Sequence, residues 1–468
     1  MKSNGKYAKR LSIICGILLA GDSIEVLLLS LLGPLLQASS WAVSLEMISA
    51  LQATIFIGEL LGTMTLGPLS DLYGRRPVTN AASSMIFVAG LGTAFATNFW
   101  SLLALRVIVG VGIGGLSVSF DLLSEMTHPS ARGKQMLGQQ YYWTAGGLLT
   151  SFFYVIVKGW WRGLVFLSCL PAMTAGVLFA IYGTESLEWL ESQGRTEDRL
   201  REEAWIANFE GVEWEEDAVK EKVVVQERGR NEGEGDRTNL INNNGGEHRG
   251  GGKPPHKILC SRKFRGQLVC MMTTWFGFGF LYYGLVFLTT RLFSDGGGEV
   301  DSKGGIDISS IAINSLSELI GTSLVYFTVD KTGRRKSQLV AYSFTSVFLL
   351  FLPYAGTGAS LTVLTCLTRI AIMSASSVTW LHTPEILTTE ARGTGHSACN
   401  AMARVGAGVC PFMVNSGSVQ AIGWGMAVVG GIVVFAVYLL PEKLEGSEEM
   451  GSKRRREEEG MELKSLSL

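Results

Sequence analysis

Twelve stretches of about twenty apolar residues follow one another along this chain, and they leave few folds open. They cover 11–36, 47–70, 78–97, 100–125, 136–157, 163–183, 266–290, 307–329, 338–355, 360–383, 395–415 and 422–440. A bilayer core about 30 Å thick takes roughly 20 apolar residues per helix. Lipid offers no partner to a bare peptide group, so only helices and closed barrels span it. The expectation is an all-α membrane protein with twelve transmembrane helices. Charge agrees, since only 17% of the 468 residues are Asp, Glu, Lys or Arg, against roughly a quarter in soluble domains. The charge is also uneven: residues 184–265 hold 32 of the 81 charged side chains, and the other 386 positions hold 49. Lys2, Lys6, Lys9 and Arg10 give the first stretch the look of a signal peptide. It is too long for one, contains Asp22 and Glu25, and lacks a small-residue cleavage site, so it is expected to stay as a helix.

Several function classes drop out. A net charge of −1 provides no basic face for nucleic acid. The seven cysteines are odd in number and lack metal-ligand spacing, so neither a disulfide framework nor a metal centre is expected. No nucleophile–base set and no phosphate loop occurs in the apolar stretches. An enzyme is the least supported class, and no cofactor is expected. Lys and Arg in short loops set orientation. With the N-terminus inside, the inner loops and tails hold nineteen of them and the outer loops four, the long central loop left out. Both termini and the central loop are therefore expected in the cytoplasm.

The chain also repeats itself. Glu59-Leu-Leu-Gly62 precedes Asp71-x-x-Gly74-Arg75-Arg76, and Glu318-Leu-Ile-Gly321 precedes Asp330-x-x-Gly333-Arg334-Arg335, each element displaced by 259 residues. Glu125 with Ala131-Arg132-Gly133 recurs as Glu385 with Ala391-Arg392-Gly393, displaced by 260. Six helices thus recur as six more in the same orientation, an arrangement that places transporter substrate sites between two halves. The expected units are a bundle at 1–183, a linker at 184–265, a second bundle at 266–440 and a tail at 441–468. Within the linker, Thr196–Lys222 has spaced Trp205, Ile206, Phe209 and Trp214, suited to an amphipathic helix on the membrane surface. Residues 229–252 are rich in Gly, Asn and charge, the composition of a disordered segment. The acidic stretch Glu213–Asp217 is expected to be a solvated face.

These residues resemble a family. Gly67-x-x-x-Asp71-x-x-Gly74-Arg75-Arg76 resembles the loop motif of the major facilitator superfamily, and Arg106-x-x-x-Gly110-x-Gly112-x-Gly114-Gly115 its fourth-helix motif. Within it, GDSIEVLLLSLLGP, WFGFGFLYYGLVFLTT, SELIG and TPEILTTEARGTGHSACNAMARVGAGVCPF look like the synaptic vesicle two-related group, which includes niacin and aromatic-acid transporters. ESLEWLESQGR and the LPE at Leu440–Glu442 resemble marks shared with sugar and organic-ion porters. Sugar porters carry a Gln-Gln pair in the seventh helix, where this chain has Tyr282-Tyr283, which makes a sugar the runner-up substrate.

Charge at bilayer depth is costly and marks function by default. At about 1.5 Å per residue, Asp22 lies roughly 18 Å beyond Arg10, and Glu25 is one turn further on the same face. Glu59 and Glu318 each stand twelve residues before the motif Asp, again near the middle. Arg106 and Arg369 enter from the outer side. The resemblance places Asp22, Glu25, Arg106, Arg369, Tyr282 and Tyr283 around a central cavity lined by the first, fourth, seventh and tenth helices. The plainer alternative is that the acids are static partners of Arg106 or Arg369, and that Glu59 and Glu318 are packing devices between the halves. Asp71, Arg75, Arg76 and their counterparts are read as a latch bonded across the halves in the outward-open state. His382 reads as a hydrogen-bonded neighbour, and the glycines 110–115 and 406–408 as close helix contacts.

The leading functional expectation is a monomeric carrier for a small organic solute, an organic ion of either sign, working by alternating access in the lipid bilayer. A proton would ride on Asp22, Glu25 or Glu318. The alternatives are a sugar porter-like carrier, or a non-transporting vesicle or sensor protein built on the same architecture.

Overall fold

The computed structural model describes residues 5–41, 43–212, 262–294, 306–387 and 392–442. The acidic stretch Glu213–Asp217, residues 229–252 and the tail beyond 442 lie outside them, as do the side chains of Arg132 and Arg392. The regular elements are helices: α1 (Lys6–Gln37), α2 (Leu45–Tyr73), α3 (Arg75–Ala94), α4 (Phe99–Gly115), α5 (Ser117–Met126), α6 (Pro129–Val157), α7 (Trp161–Tyr182), α8 (Leu187–Ser192), α9 (Thr196–Glu210), α10 (Arg262–Ser294), α11 (Ile308–Thr332), α12 (Arg334–Phe351), α13 (Ala359–Ile386), α14 (Arg392–Ser416) and α15 (Val419–Tyr438). Twelve of the apolar stretches become spans, the fourth as α4 and α5 joined through Leu116. Leu116 donates its N–H to Ile113 O at 2.9 Å, a tightened turn at the end of the glycine run. Among the described residues nine spans are apolar enough to cross a bilayer by composition alone. The other three, α3, α6 and α14, are 20, 29 and 25 residues long but carry more small and polar residues. The chain is an integral, multi-pass membrane protein.

Helix starts follow their caps. Asn98 and Ser101 form a reciprocal capping box at α4, and Ser44 and Ser418 accept the first free N–H groups of α2 and α15. The tightest packing pairs are α2 on α4 and α10 on α14. Glycine explains both. A methyl group on Gly58 or Gly62 would strike the carbonyl of Val107 or Val111, and one on Gly406 or Gly279 the carbonyl of Phe276 or Ala403. Small residues let backbones approach, and close packing is the main attraction between helices in lipid.

The ends of α1 and α15 and the two repeated turns share one end of the bundle, called here the near end. Part of the linker, α9, lies against that end, and Trp214 of the expected amphipathic segment falls outside the described residues. α9 packs one face on the protein: Ile206 is fully buried, and Trp205, itself partly exposed, and Phe209 lie edge-on against Tyr7 of α1 at 5.7 and 6.4 Å. The Glu210 carboxylate accepts the N–H groups of Lys6 and Tyr7 at 2.9 Å, capping α1. The start of α1 thus offers α9 an aromatic contact and free N–H groups that a carboxylate can accept. The seventh span also begins earlier than its apolar run, at Arg262.

Candidate functional site

The repeated turns are built alike. Gly74 and Gly333 have φ of 104° and 84°, a region closed to most side chains, so each chain reverses between helices without a gap. Glu185 fills the space a Gly74 side chain would need and accepts the N–H of Arg75 at 2.7 Å and of Arg76 at 3.1 Å. Glu442 does the same for Arg334 at 2.6 Å beside Gly333. A carboxylate at a helix N-terminus satisfies free donors and meets the positive end of the dipole. Arg75 bridges Asp71 at 3.0 Å and Glu125 at 3.3 Å, and Arg334 bridges Asp330 at 3.0 Å and Glu385 at 3.1 Å. Arg76 donates to Ala180 O at 3.0 Å, and Arg335 donates to Tyr438 O. Each set lies within one half. The expected bond across the halves is absent among the described residues, and the Asp71 side chain is 71% exposed. Gly67 faces open space. Glu202 on α9, 3.9 Å from Arg76, has its carboxyl held above the usual carboxylate range by burial, an effect the Glu185 backbone and Arg76 oppose. Glu185 and Glu442 stand inside the segments ESLEWLESQGR and LPE, but their capping role was not legible there, because a cap more than a hundred positions from its helix leaves no local spacing; Glu202 was not singled out.

At mid-depth the charges sort into three groups. Glu25 and Arg106 form the first, 2.5 Å apart and both essentially without solvent contact, with Arg106 Nε also donating to Thr93 at 3.3 Å. This pair is enclosed among α1, α3 and α4. Arg106 therefore does not face the centre of the molecule, contrary to the expectation from sequence. Asp22 and Glu25 are only three residues apart but engage different partners, because 60° of rotation around α1 separates them.

The second group crosses the halves. Glu59 of α2 lies 2.5 Å from Arg404 of α14, and Arg404 donates to the Tyr283 hydroxyl at 2.9 Å. The Tyr283 ring packs on Phe56 at 4.7 Å. Asp22 lies within electrostatic reach of Arg404, of its neighbour Glu25 and of Glu59, and its Oδ1 is buried without a hydrogen-bond partner among the described residues. Arg404 was missed from the sequence. The signal was present, since it is a lone charge inside the run 395–415.

The third group is at the centre. Arg369 Nη1 lies 3.2 Å from Glu318 Oε1. Tyr282 donates its hydroxyl to Glu318 at 2.8 Å and accepts from Trp143 Nε1 at 2.5 Å, while Thr144 reaches the other Glu318 oxygen at 3.5 Å. Trp143 and Thr144 come from α6, so this network also joins the halves. It borders a cavity of about 20 Å³ with Ser23 and Ser315 on its wall, room for roughly one water. The halves meet on both sides of it. Asn415 donates to Ser49 at 3.0 Å and Gln52 at 2.9 Å toward the far end, where Thr290 also donates to Ser30 at 2.9 Å. Tyr141 and Ser323 bond at 3.0 Å toward the near end, where Phe120 meets Trp380 at 6.2 Å.

The repeat explains why these groups differ. Displacement by 260 residues puts Asp22 opposite Tyr282, Glu25 opposite Leu285, and Thr144 opposite Arg404. In the first half Glu25 occupies Arg106, so Glu59 turns to Arg404 across the interface. In the second half Leu285 offers Arg369 nothing, so Arg369 turns to Glu318 and stays beside the cavity. His382 is held by Gln338 at 2.8 Å and by the carbonyls of Pro441 and Glu442 at 3.1 Å.

The family model described as sugar (and other) transporter matches residues 36–442. The chain is 28% identical to the synaptic vesicle 2-related protein of Xenopus laevis, over 87% of this chain and 73% of that protein. It is 26% identical to the niacin transporter NiaP of Acinetobacter baylyi, over 80% of this chain and 77% of that protein. Its fold is like that of the xylose transporter XylE from E. coli in a partially occluded inward-open conformation. The TM-score is 0.69 at 16% identity, over 93% of this chain and 100% of that one.

Proposed function

The chain belongs to the sugar (and other) transporter family of the major facilitator superfamily, and from that premise we propose that it carries a small organic ion by proton-coupled alternating access. The observation that carries this reading is the central cavity, placed where the two halves meet and bordered by Arg369, Glu318, Tyr282 and Trp143. An ion pair beside aromatic faces suits a charged, flat solute better than a sugar, which calls for many neutral hydrogen-bonding groups. In its present shape the cavity is too small for such a solute. Binding requires the contacts on one side of it to open, which is what rocking of the halves supplies.

A charge count supports the coupling. Four acids, Asp22, Glu25, Glu59 and Glu318, face three arginines, Arg106, Arg369 and Arg404, at mid-depth. One carboxylate is surplus, and an unpaired anion in lipid is costly. Asp22 is the one without an ion partner among the described residues, so it is the natural seat of one proton. Arg404 belongs to the other half, so opening the interface alters the charge that Asp22 meets. The test is uptake by proteoliposomes of labelled nicotinate, benzoate, a quaternary ammonium and a hexose, with and without an imposed pH gradient. Uphill accumulation of an organic ion is expected. Uptake of the hexose alone would overturn the reading in favour of a sugar porter, and no uptake of any solute would favour the non-transporting alternative.

Both termini are read as cytoplasmic because the near end collects the excess of Lys and Arg. A cysteine at the exposed position Gly194 should react with an impermeant thiol reagent only after permeabilisation. Labelling in intact cells would reverse the orientation.

The turn clusters are read as gating elements that set how readily the near end closes. Asp71 lies about 18 Å from the midplane, and its carboxylate, exposed although bridged by Arg75, can exchange to a partner across the halves when that end closes. Asp71→Asn should slow transport at least several-fold while leaving substrate affinity nearly unchanged. A large loss of affinity with turnover preserved would move these residues into the binding site.

A further inference from the structure

The central cavity is bordered by both members of one ion pair, and the two are not equally satisfied. Both Glu318 oxygens have hydroxyl partners, Tyr282 at 2.8 Å and Thr144 at 3.5 Å. Arg369 is about 96% buried, yet its Nε and Nη1 make no hydrogen bond among the described residues, because the Glu318 contact lacks hydrogen-bonding geometry. A buried guanidinium with unused donors beside a void is suited to a carboxylate, which it can grip with two parallel bonds. A simple anion in that position would draw Arg369 from Glu318 and leave a buried carboxylate without a counter-charge. A simple cation bound at Glu318 would strand Arg369 in the same way. Removing one partner from a buried pair is much costlier than replacing the pair whole. A ligand with both charges avoids either loss, since each end inherits one member of the pair. The cationic end would also meet aromatic rings, as Tyr282 and Trp143 lie 6.0 Å apart on the same wall and the Arg369 guanidinium already sits 5.6 Å from the Tyr282 ring.

We propose that the carried solute is a small inner salt, with its carboxylate on Arg369 and a ring-borne, alkylated nitrogen cation between Glu318 and the faces of Tyr282 and Trp143. This rests on the carrier reading above and names its substrate class. Bound this way, the solute needs no proton at Glu318, so substrate recognition and the proton at Asp22 occupy separate residues. Specificity then lies in a matched pair of charges, and each charge should be removable independently.

The test uses three ligands on one ring: N-methylnicotinate, an inner salt; nicotinate, an anion; and 1-methylnicotinamide, a cation. Binding and uptake are measured at neutral pH with the full-length protein. The wild type should bind the inner salt at least tenfold more tightly than either of the others. Glu318→Gln should shift the preference toward nicotinate, and Arg369→Gln toward 1-methylnicotinamide, each by tenfold or more. Such opposite shifts are not produced by a merely structural pair, whose loss would weaken all three ligands together. Should either variant fold poorly, the wild-type order decides alone, and nicotinate or 1-methylnicotinamide binding as tightly as the inner salt overturns the proposal. Absence of binding by all three also overturns it. Uptake of some other solute from the wider panel would in that case leave the carrier reading standing.

Discussion

Arg404→Gln is expected to remove most of the folded protein. The change leaves Glu59 and Asp22 of the first half facing each other at mid-depth with no cation, and breaks the Glu59 contact of 2.5 Å and the Tyr283 hydrogen bond of 2.9 Å. Removing one partner of a buried pair costs about 3–5 kcal/mol, a large share of a stability that is itself about 5–15 kcal/mol. The thermal midpoint in detergent and the yield of monodisperse protein should both fall sharply. Glu59→Gln combined with Arg404→Gln should recover much of the loss, with a coupling of about 1–3 kcal/mol between the two changes. The recovered double variant should also show an altered rate of interconversion, because the pair joins α2 to α14 across the surface on which the halves move. If Arg404→Gln alone were as stable as the wild type, the pair would not be holding the halves together.

The second large effect concerns coupling. Asp22→Asn keeps the shape of the site and removes the surplus carboxylate. With the membrane potential clamped, a gradient of one pH unit supports about tenfold accumulation per proton carried, since tenfold corresponds to about 1.4 kcal/mol. The wild type should approach that ratio and Asp22→Asn should fall to about one. Exchange of labelled for unlabelled solute should survive in the variant, because exchange moves no net proton. Glu25→Gln should behave differently. It strands Arg106, which has no solvent contact and, among the described residues, no other acid within ion-pair distance, so folding should fail before coupling does. Equal loss of exchange in a well-folded Asp22→Asn protein would assign Asp22 to solute binding. Accumulation preserved in Asp22→Asn would move the proton to another residue.

The two effects separate the roles of charges that look alike in the sequence. The succession of apolar stretches was sufficient to find the twelve spans, although among the described residues only nine of them are apolar enough by composition alone, because lipid demands that a crossing segment be largely apolar and satisfy its own backbone. The 259-residue repeat was sufficient for two like halves. The same rule that found Asp22, Glu25, Glu59 and Glu318 applied to Arg404, and the arginine went unrecognised only because the surrounding motif drew it into a pattern of small residues. The depth of each charge could be read by counting residues along a helix.

Partnership could not be read that way. Which acid meets which arginine depends on the rotation of each helix and on which neighbour it packs against, and both are set by glycine contacts such as Gly58 on Val107 and Gly406 on Phe276. The first of these contacts fixes α4, which carries Arg106, against α2, and a third, Gly321 on Ile370, sets α11 against α13 where Glu318 meets Arg369. They also set Glu59 against an arginine 345 residues away in sequence. The sequence by itself determined that charge is buried at mid-depth and that the fold is doubled. Only the tertiary structure decided which charges are neutralised, which one is surplus, and which pair a solute can reach, because Coulomb energy falls with distance and no distance between helices is written in their order along the chain.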